Sequence, residues 1–183
     1  MKNTTDDYIS IYVVHAPEGV QHVVSLLSTE IAFSPSSNGL APEAIIGICN
    51  RPLKPGETLA PANFARNRIF VDFLHDVIAR RGPENPSLQT AARKQGDGCV
   101  YIIDGRTPDP EGDVPRHDII GAFGVKQGEI DSGSYEANPH HVILSPDGFF
   151  QLDPTLLEFL MEELVERNSS GAITHQRPWW KLR

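Results

Sequence analysis

Cysteine is scarce in this sequence: Cys49 and Cys99 are the only two in 183 residues, far apart and in no C-x-x-C pattern. That excludes a disulfide-stapled secreted scaffold and a thiolate zinc site. Basic runs are missing as well. The longest is the pair Arg80 and Arg81, and the net charge is −8 with an isoelectric point near 5.3. A nucleic-acid binder needs a cationic face to neutralise phosphates, so nucleic acid is not an expected partner. No apolar stretch approaches the roughly 20 residues that span a bilayer, and no membrane association is expected. The opening "MKNTTDDYIS" lacks a basic segment followed by an apolar one, so no secretory signal is expected. The expectation is a soluble, bacterial-type protein of the reduced cytoplasm. Motifs are equally sparse. G-x-G-x-x-G, G-x-x-x-x-G-K-[ST], G-x-S-x-G and H-E-x-x-H do not occur, which removes the common nucleotide, hydrolase and zincin signatures.

What is present is an ordinary globular composition. Apolar residues make up 39% and charged residues 22%, enough of the first to build a core and too little charge for a disordered chain. "YISIYVVH" (8–15) is β-branched and aromatic and reads as a strand. After Pro17 and Gly19, the apolar residues Val20, Val23, Val24, Leu27 and Ile31 fall at helical spacing with His22 on the opposite face, which predicts a helix. "AIIGICN" (44–50) predicts a second strand. A strong helix is expected over 62–81, with Phe70, Phe73, Leu74, Val77 and Ile78 on one face and Gly82 and Pro83 ending it. Asn85 before Pro86 predicts a capped helix to about Gln95.

Beyond residue 98 the pattern changes to short strands at 99–104, 118–125, 129–135, 140–144 and 149–152, separated by Gly128, Asn138 with Pro139, and the turn "SPDG". Asp153 and Pro154 then start a helix with Leu156, Leu157, Leu160, Met161 and Leu164 inward. The expected fold is α+β: a mixed, mostly antiparallel sheet with a C-terminal meander of short strands, covered by three or four helices. The organisation expected is one domain over 1–183. It comprises a strand–helix–strand–helix part (about 8–95), the meander plus helix (about 98–167) and a tail (168–183).

The histidine pair in "ANPHHVILSPDG" has no metal-ligand spacing. Successive side chains on a strand point to opposite faces, so His140 and His141 cannot grip one ion, and no i, i+2 or i, i+4 pair occurs among the seven histidines. No metal site and no cofactor are expected. Strand parity is more informative. If the strands alternate up and down, one edge of the sheet collects Asp104, Arg106, Arg116, His117, Asp118, Tyr135, His140, His141 and Asp153. The loop at that edge, "DGRTPDPEGDVPRH" (104–117), is long for a compact domain, as binding loops and lids often are. Its alternate acids, Asp109, Glu111 and Asp113, do not match a calcium loop. Cys99 runs directly into an apolar strand, where a small buried hydrophobe is expected rather than a nucleophile. Asp72 and His75, three apart on a helix, read as a solvated pair.

No nucleophile, acid–base pair or metal set has the spacing that catalysis requires, and no catalytic residue is assigned. The first expectation is therefore an accessory or binding protein, contacting a protein partner or small ligand at the polar edge. Asp104, Arg106, Arg116, His117, Tyr135, His140 and His141 are its ligand-binding candidates. The alternative is a small hydrolase or transferase using a sheet-edge histidine as general base, oriented by Asp104, Asp118 or Asp153. A strand such as "CVYIID" is apolar on both faces and needs cover, which predicts a homodimer with Trp179 and Trp180 as interface anchors. The competing account folds those tryptophans back onto their own chain.

Overall fold

The computed structural model describes residues 5–16, 19–35, 37 and 39–170. Its class is α+β, and every described strand ladder is antiparallel. The chain divides into two compact units, one of residues 1–5 and 74–160, the other of residues 6–73 and 161–183. The boundaries fall inside two helices, each of which contributes to both units.

The second of these units carries a four-stranded sheet in the order β1 (Ser10–Ala16), β2 (Gly19–Ser25), β3 (Ile45–Cys49) and β4 (Phe64–Arg66). Here one expectation fails: residues 20–31 do not form a helix. Val20, Val23 and Val24 belong to β2, which pairs with β1 from Ser10 opposite Ser25 to Ala16 opposite Gly19. Helix is confined to the four-residue α1 (Thr29–Ala32). The apolar spacing was compatible with 3.6, but a run rich in valine loses side-chain freedom in a helix and gains packing on a pleated surface. His22, expected on a wet helix face, accepts a hydrogen bond at Nδ1 from the Leu53 amide at 2.9 Å. Val24, Leu26, Leu27 and Ile46 are fully buried.

The helix expected from residue 62 begins later. Residues Pro61–Asn63 form a 3-10 turn, Phe64–Arg66 the edge strand β4, and α2 runs Arg68–Arg81. Asn67 explains the break. Its side-chain amide donates to the Pro42 and Ile45 carbonyls, and its Oδ1 accepts from the Ile69 amide, starting the helix where Phe64 is still paired with Cys49. The apolar face of α2, Phe70, Phe73, Leu74, Val77 and Ile78, is buried as its spacing predicted.

In the other unit, α3 (Pro86–Gln95) is capped by Asn85, whose Oδ1 accepts from Leu88 N at 2.9 Å. The second sheet places β6 (Ile119–Lys126) between β5 (Gly98–Ile103) on one side and the short β7 (Glu129–Ile130) and β8 (Glu136–Ala137) on the other. The β6–β7 hairpin turns through Gln127 and Gly128 at φ +52° and +78°, the positive values of a two-residue hairpin turn. The meander is more broken than its pattern implied. Residues 131–135 leave the ladder after two paired residues, and 140–143 are not strand. Beyond β8, among the described residues only Leu144–Ser145 (β9) and Gly148–Phe149 (β10) pair, around the expected "SPDG" turn. Helix α4 (Pro154–Ser169) starts where Asp153 Oδ1 accepts from Thr155 N at 3.0 Å, and it buries Leu156, Leu157, Leu160 and Leu164. Cys99 corrects a further expectation. On edge strand β5 it faces outward beside Tyr101 (57% exposed), while Val100 and Ile102 are buried.

Candidate functional site

Of the nine residues that strand parity groups at one edge, Asp104, Arg106, Asp118 and His141 meet inside the protein. β5 ends by delivering Asp104 to a position with no solvent exposure, and the loop that follows returns to β6 at Asp118. Its neck is closed by the Asp104 amide donating to the Asp118 carbonyl at 2.7 Å, with the Thr107 amide donating to the Asp104 carbonyl at 3.0 Å. The long loop is thus an Ω-like excursion with tied ends, the kind of loop that often carries function.

Asp104 accepts five hydrogen bonds. Oδ1 takes the amides of Arg106 (3.1 Å) and Gln151 (3.0 Å) and the Arg106 Nε (3.0 Å). Oδ2 takes Arg106 Nη2 (2.8 Å) and His141 Nε2 (2.9 Å). Burial alone disfavours the charged carboxylate, but the hydrogen bonds from His141 and Arg106 outweigh it and hold Asp104 below its ordinary pKa. An ionised Asp104 can only accept, so the tautomer with the proton on His141 Nε2 is the one that fits.

Arg106 serves two carboxylates. Its Nη2 also lies 3.3 Å from Asp118 Oδ1, and its remaining donors go to the carbonyls of Gly148 (3.1 Å) and Val142 (2.7 Å). Asp118 Oδ2 accepts from Thr107 Oγ1 at 3.0 Å. The result is a buried network of two carboxylates, one guanidinium and one imidazole, with its hydrogen bonds drawn from five separate stretches of chain. Arg106, expected as a cationic ligand contact, is instead interior, its side chain 2% exposed. The correction has a simple cause: Arg106 is two residues from Asp104 and meets it bidentately, and no solvent position offers a comparable partner.

The other candidates divide by position. His141 is 3% exposed, its ring edge-on to Phe150, whereas its neighbour His140 is exposed. They take opposite environments, but on a turn and not at the start of the strand expected there. The turn is built by Asn138, whose Oδ1 accepts from the His140 amide and whose Nδ2 donates to the carbonyls of Arg116 and Ile119. That brings 138–142 alongside 116–119, and Arg116, His117 and His140 are exposed on these two adjoining stretches, a rim beside the buried network. Tyr135 does not join it. Its hydroxyl lies 2.8 Å from His75 Nδ1, its ring stacks obliquely on Phe123, and burial pushes its pKa up. No local pattern signals the contact between Tyr135 and His75, 60 residues apart. Trp179 and Trp180 lie outside the described residues.

Among the described residues, no group of three or more histidine, cysteine or acidic side chains is placed to hold a metal ion. No helix there is long and apolar enough to cross a membrane. Compared with protein-family models, curated proteins and solved structures, the chain matches none.

Proposed function

We propose that this protein is a non-catalytic binding or accessory module, and that its contact surface is the tied loop 104–118 with the adjoining turn 138–142. The observation that carries this reading is the saturation of the acid–base groups. Asp104 and His141, the pair a general-base mechanism would use, are spent on each other and on Arg106, with 0% and 3% exposure. A base must reach the proton it abstracts, and a sealed imidazole cannot. The same network gives the loop a fixed neck, so its exposed tip, residues 108–113, and the rim of Arg116, His117 and His140 are presented at little ordering cost. The rim recognises negative charge, as a small organic anion or as an acidic segment of a partner protein.

The test is a melting-temperature screen of the intact protein against small anions and acidic peptides, repeated on the double variant Arg116→Ala, His117→Ala. A true ligand stabilises by mass action, and the variant should lose the shift while melting, unliganded, close to the parent. Ligand shifts that survive the double variant would move the site elsewhere. A turnover measured on the purified protein would overturn the non-catalytic reading.

A further inference from the structure

The unit that holds the buried network also contains a cleft of about 300 Å³, lined by Pro83, Gln89, Arg93, Gly128, Glu129 and Ile130. Its walls follow from local chemistry. Gln89 and Arg93 are four apart on α3 and share one face of that helix. The other wall is the β6–β7 hairpin. Gly128 in its turn comes so close to α3 that a Cβ would lie 3.3 Å from the Arg93 Cα. Two hydrogen bonds pin the turn to the end of the helix. The Gly128 amide donates to the Gly96 carbonyl at 2.6 Å, and the Gln127 amide donates to Asp97 Oδ1 at 2.9 Å. Gln89 is held as well, its Nε2 donating to the Pro83 carbonyl at 2.9 Å. A cleft with walls tied in this way needs little reordering to receive a ligand.

Its charges set it apart. The neighbouring lysines each have a carboxylate. Lys94 meets Glu111 at 3.4 Å, and Lys126 meets Asp131 at 3.6 Å although Glu129 is its direct partner across the ladder. Arg93 and Glu129 are left over. Among the described residues neither side chain makes a hydrogen bond or an ion pair, and they do not pair with each other. Gln89 adds an open acceptor. A carbonyl only accepts, so the amide nitrogen must face Pro83, and Oε1 has no donor.

We infer that this cleft is a binding site for a free α-amino acid, a ligand with a carboxylate and an ammonium on one carbon. Arg93 takes the carboxylate, which its planar fork of donors matches. Glu129 takes the ammonium, and Gln89 Oε1 accepts another of its three protons. Pro83 and Ile130 are the apolar surface left for the side chain, and no further charged residue lines the cleft, so an apolar amino acid is preferred. Size agrees. About 300 Å³ is at the small end of ligand pockets and suits a metabolite of amino-acid size, not a nucleotide. A ligand of one sign alone leaves either Arg93 or Glu129 uncompensated beside it, which separates this cleft from the rim of Arg116, His117 and His140.

The test is a titration of the intact protein with L-alanine, L-valine and L-leucine, followed by amide NMR shifts and calorimetry. Shifts should centre on residues 128–130 and the facing turn of α3. N-acetyl-L-leucine lacks the ammonium and L-leucinamide the carboxylate, and each should bind at least about tenfold more weakly than leucine. Arg93→Gln and Glu129→Gln, both at exposed positions, should weaken binding by a similar factor while melting close to the parent. Should either variant fold poorly, the two leucine derivatives read the same contacts on the unaltered protein. The double variant Arg116→Ala, His117→Ala should bind the amino acid unchanged. No shift at residues 128–130 with any of the three amino acids would overturn the inference. So would derivatives that bind as well as leucine, or affinity that survives both glutamine variants.

Discussion

Asp104 concentrates more of the chemistry of this protein than any other side chain. Removing one partner of a buried ionic network leaves the others uncompensated, which in comparable settings costs on the order of 3–5 kcal/mol. Asp104→Asn keeps the shape but removes the charge opposite Arg106 and His141, so urea denaturation should find a loss of about that size. A cost under 1 kcal/mol would mean the guanidinium finds equivalent partners. The pH dependence follows from the same contacts. Asp104 titrates lower in the folded chain than the roughly 3.9 of an unperturbed aspartate, so its contribution is fully present above about pH 4. It is lost as the pH falls from there through the folded value. Stability measured between pH 7 and pH 3 should stay level with respect to this group and then decline below about pH 4. That part of the acid decline should be absent from Asp104→Asn. Glu57, held down to about 2 by the Arg51 guanidinium and then by the Lys54 amide, acts in the same sense but sits in solvent, where such a pair counts for little.

Elements in this protein are set as much by close approach as by propensity. Gly121 in β6 has negative φ, so its need for glycine is spatial. A Cβ there would lie 2.5 Å from Tyr135 Oη and 2.8 Å from the Glu136 carbonyl oxygen. The carbonyl belongs to β8, paired with β6 through Gly121 opposite Ala137, and cannot retreat without opening that ladder. Gly121→Ala should therefore destabilise by about 1–3 kcal/mol in chemical denaturation. A neutral result would show that β8 is not held as tightly as its pairing implies. The same scale accounts for the sequence reading's main failure. Residues 20–31 satisfied a helical stripe, but β1 supplied a partner of matched length across a two-residue connection, and the hairpin won. The sequence had no means of weighing that pairing, because a stripe of valines at spacings of three and four is also a buried strand running into a turn.

For the whole molecule, net charge and stability pull apart in a way that can be measured. With an isoelectric point near 5.3, repulsion between copies is least near that pH and association is favoured. The Asp104 network, by contrast, is intact until the pH falls below about 4. Turbidity near pH 5.3 should accordingly be reversible, with native far- and near-ultraviolet circular dichroism in the redissolved protein. Loss of the near-ultraviolet signal already at pH 5.3 would contradict this separation.

Read alone, the sequence determined the α+β class, the helix stop at Gly82, the caps at Asn85 and Asp153, and the tight turns at Gly128 and 145–148. These depend on local chemistry: a side-chain acceptor for free helix amides, a glycine where φ turns positive, a proline at a first turn. Parity along the strands suggested a wider edge, in which Asp104, Arg106, Asp118 and His141 stood with Arg116, His117, His140, Tyr135 and Asp153. Only tertiary structure decided that this edge closes over the first four, making Arg106 and His141 interior groups and leaving Arg116, His117 and His140 outside. Burial is a property of what lies above a residue, here Val142, Gly148 and Gln151 contributing backbone groups from up to 47 positions away. No local pattern encodes that cover, because the free energy of an ionic side chain is settled by the partners that replace water around it.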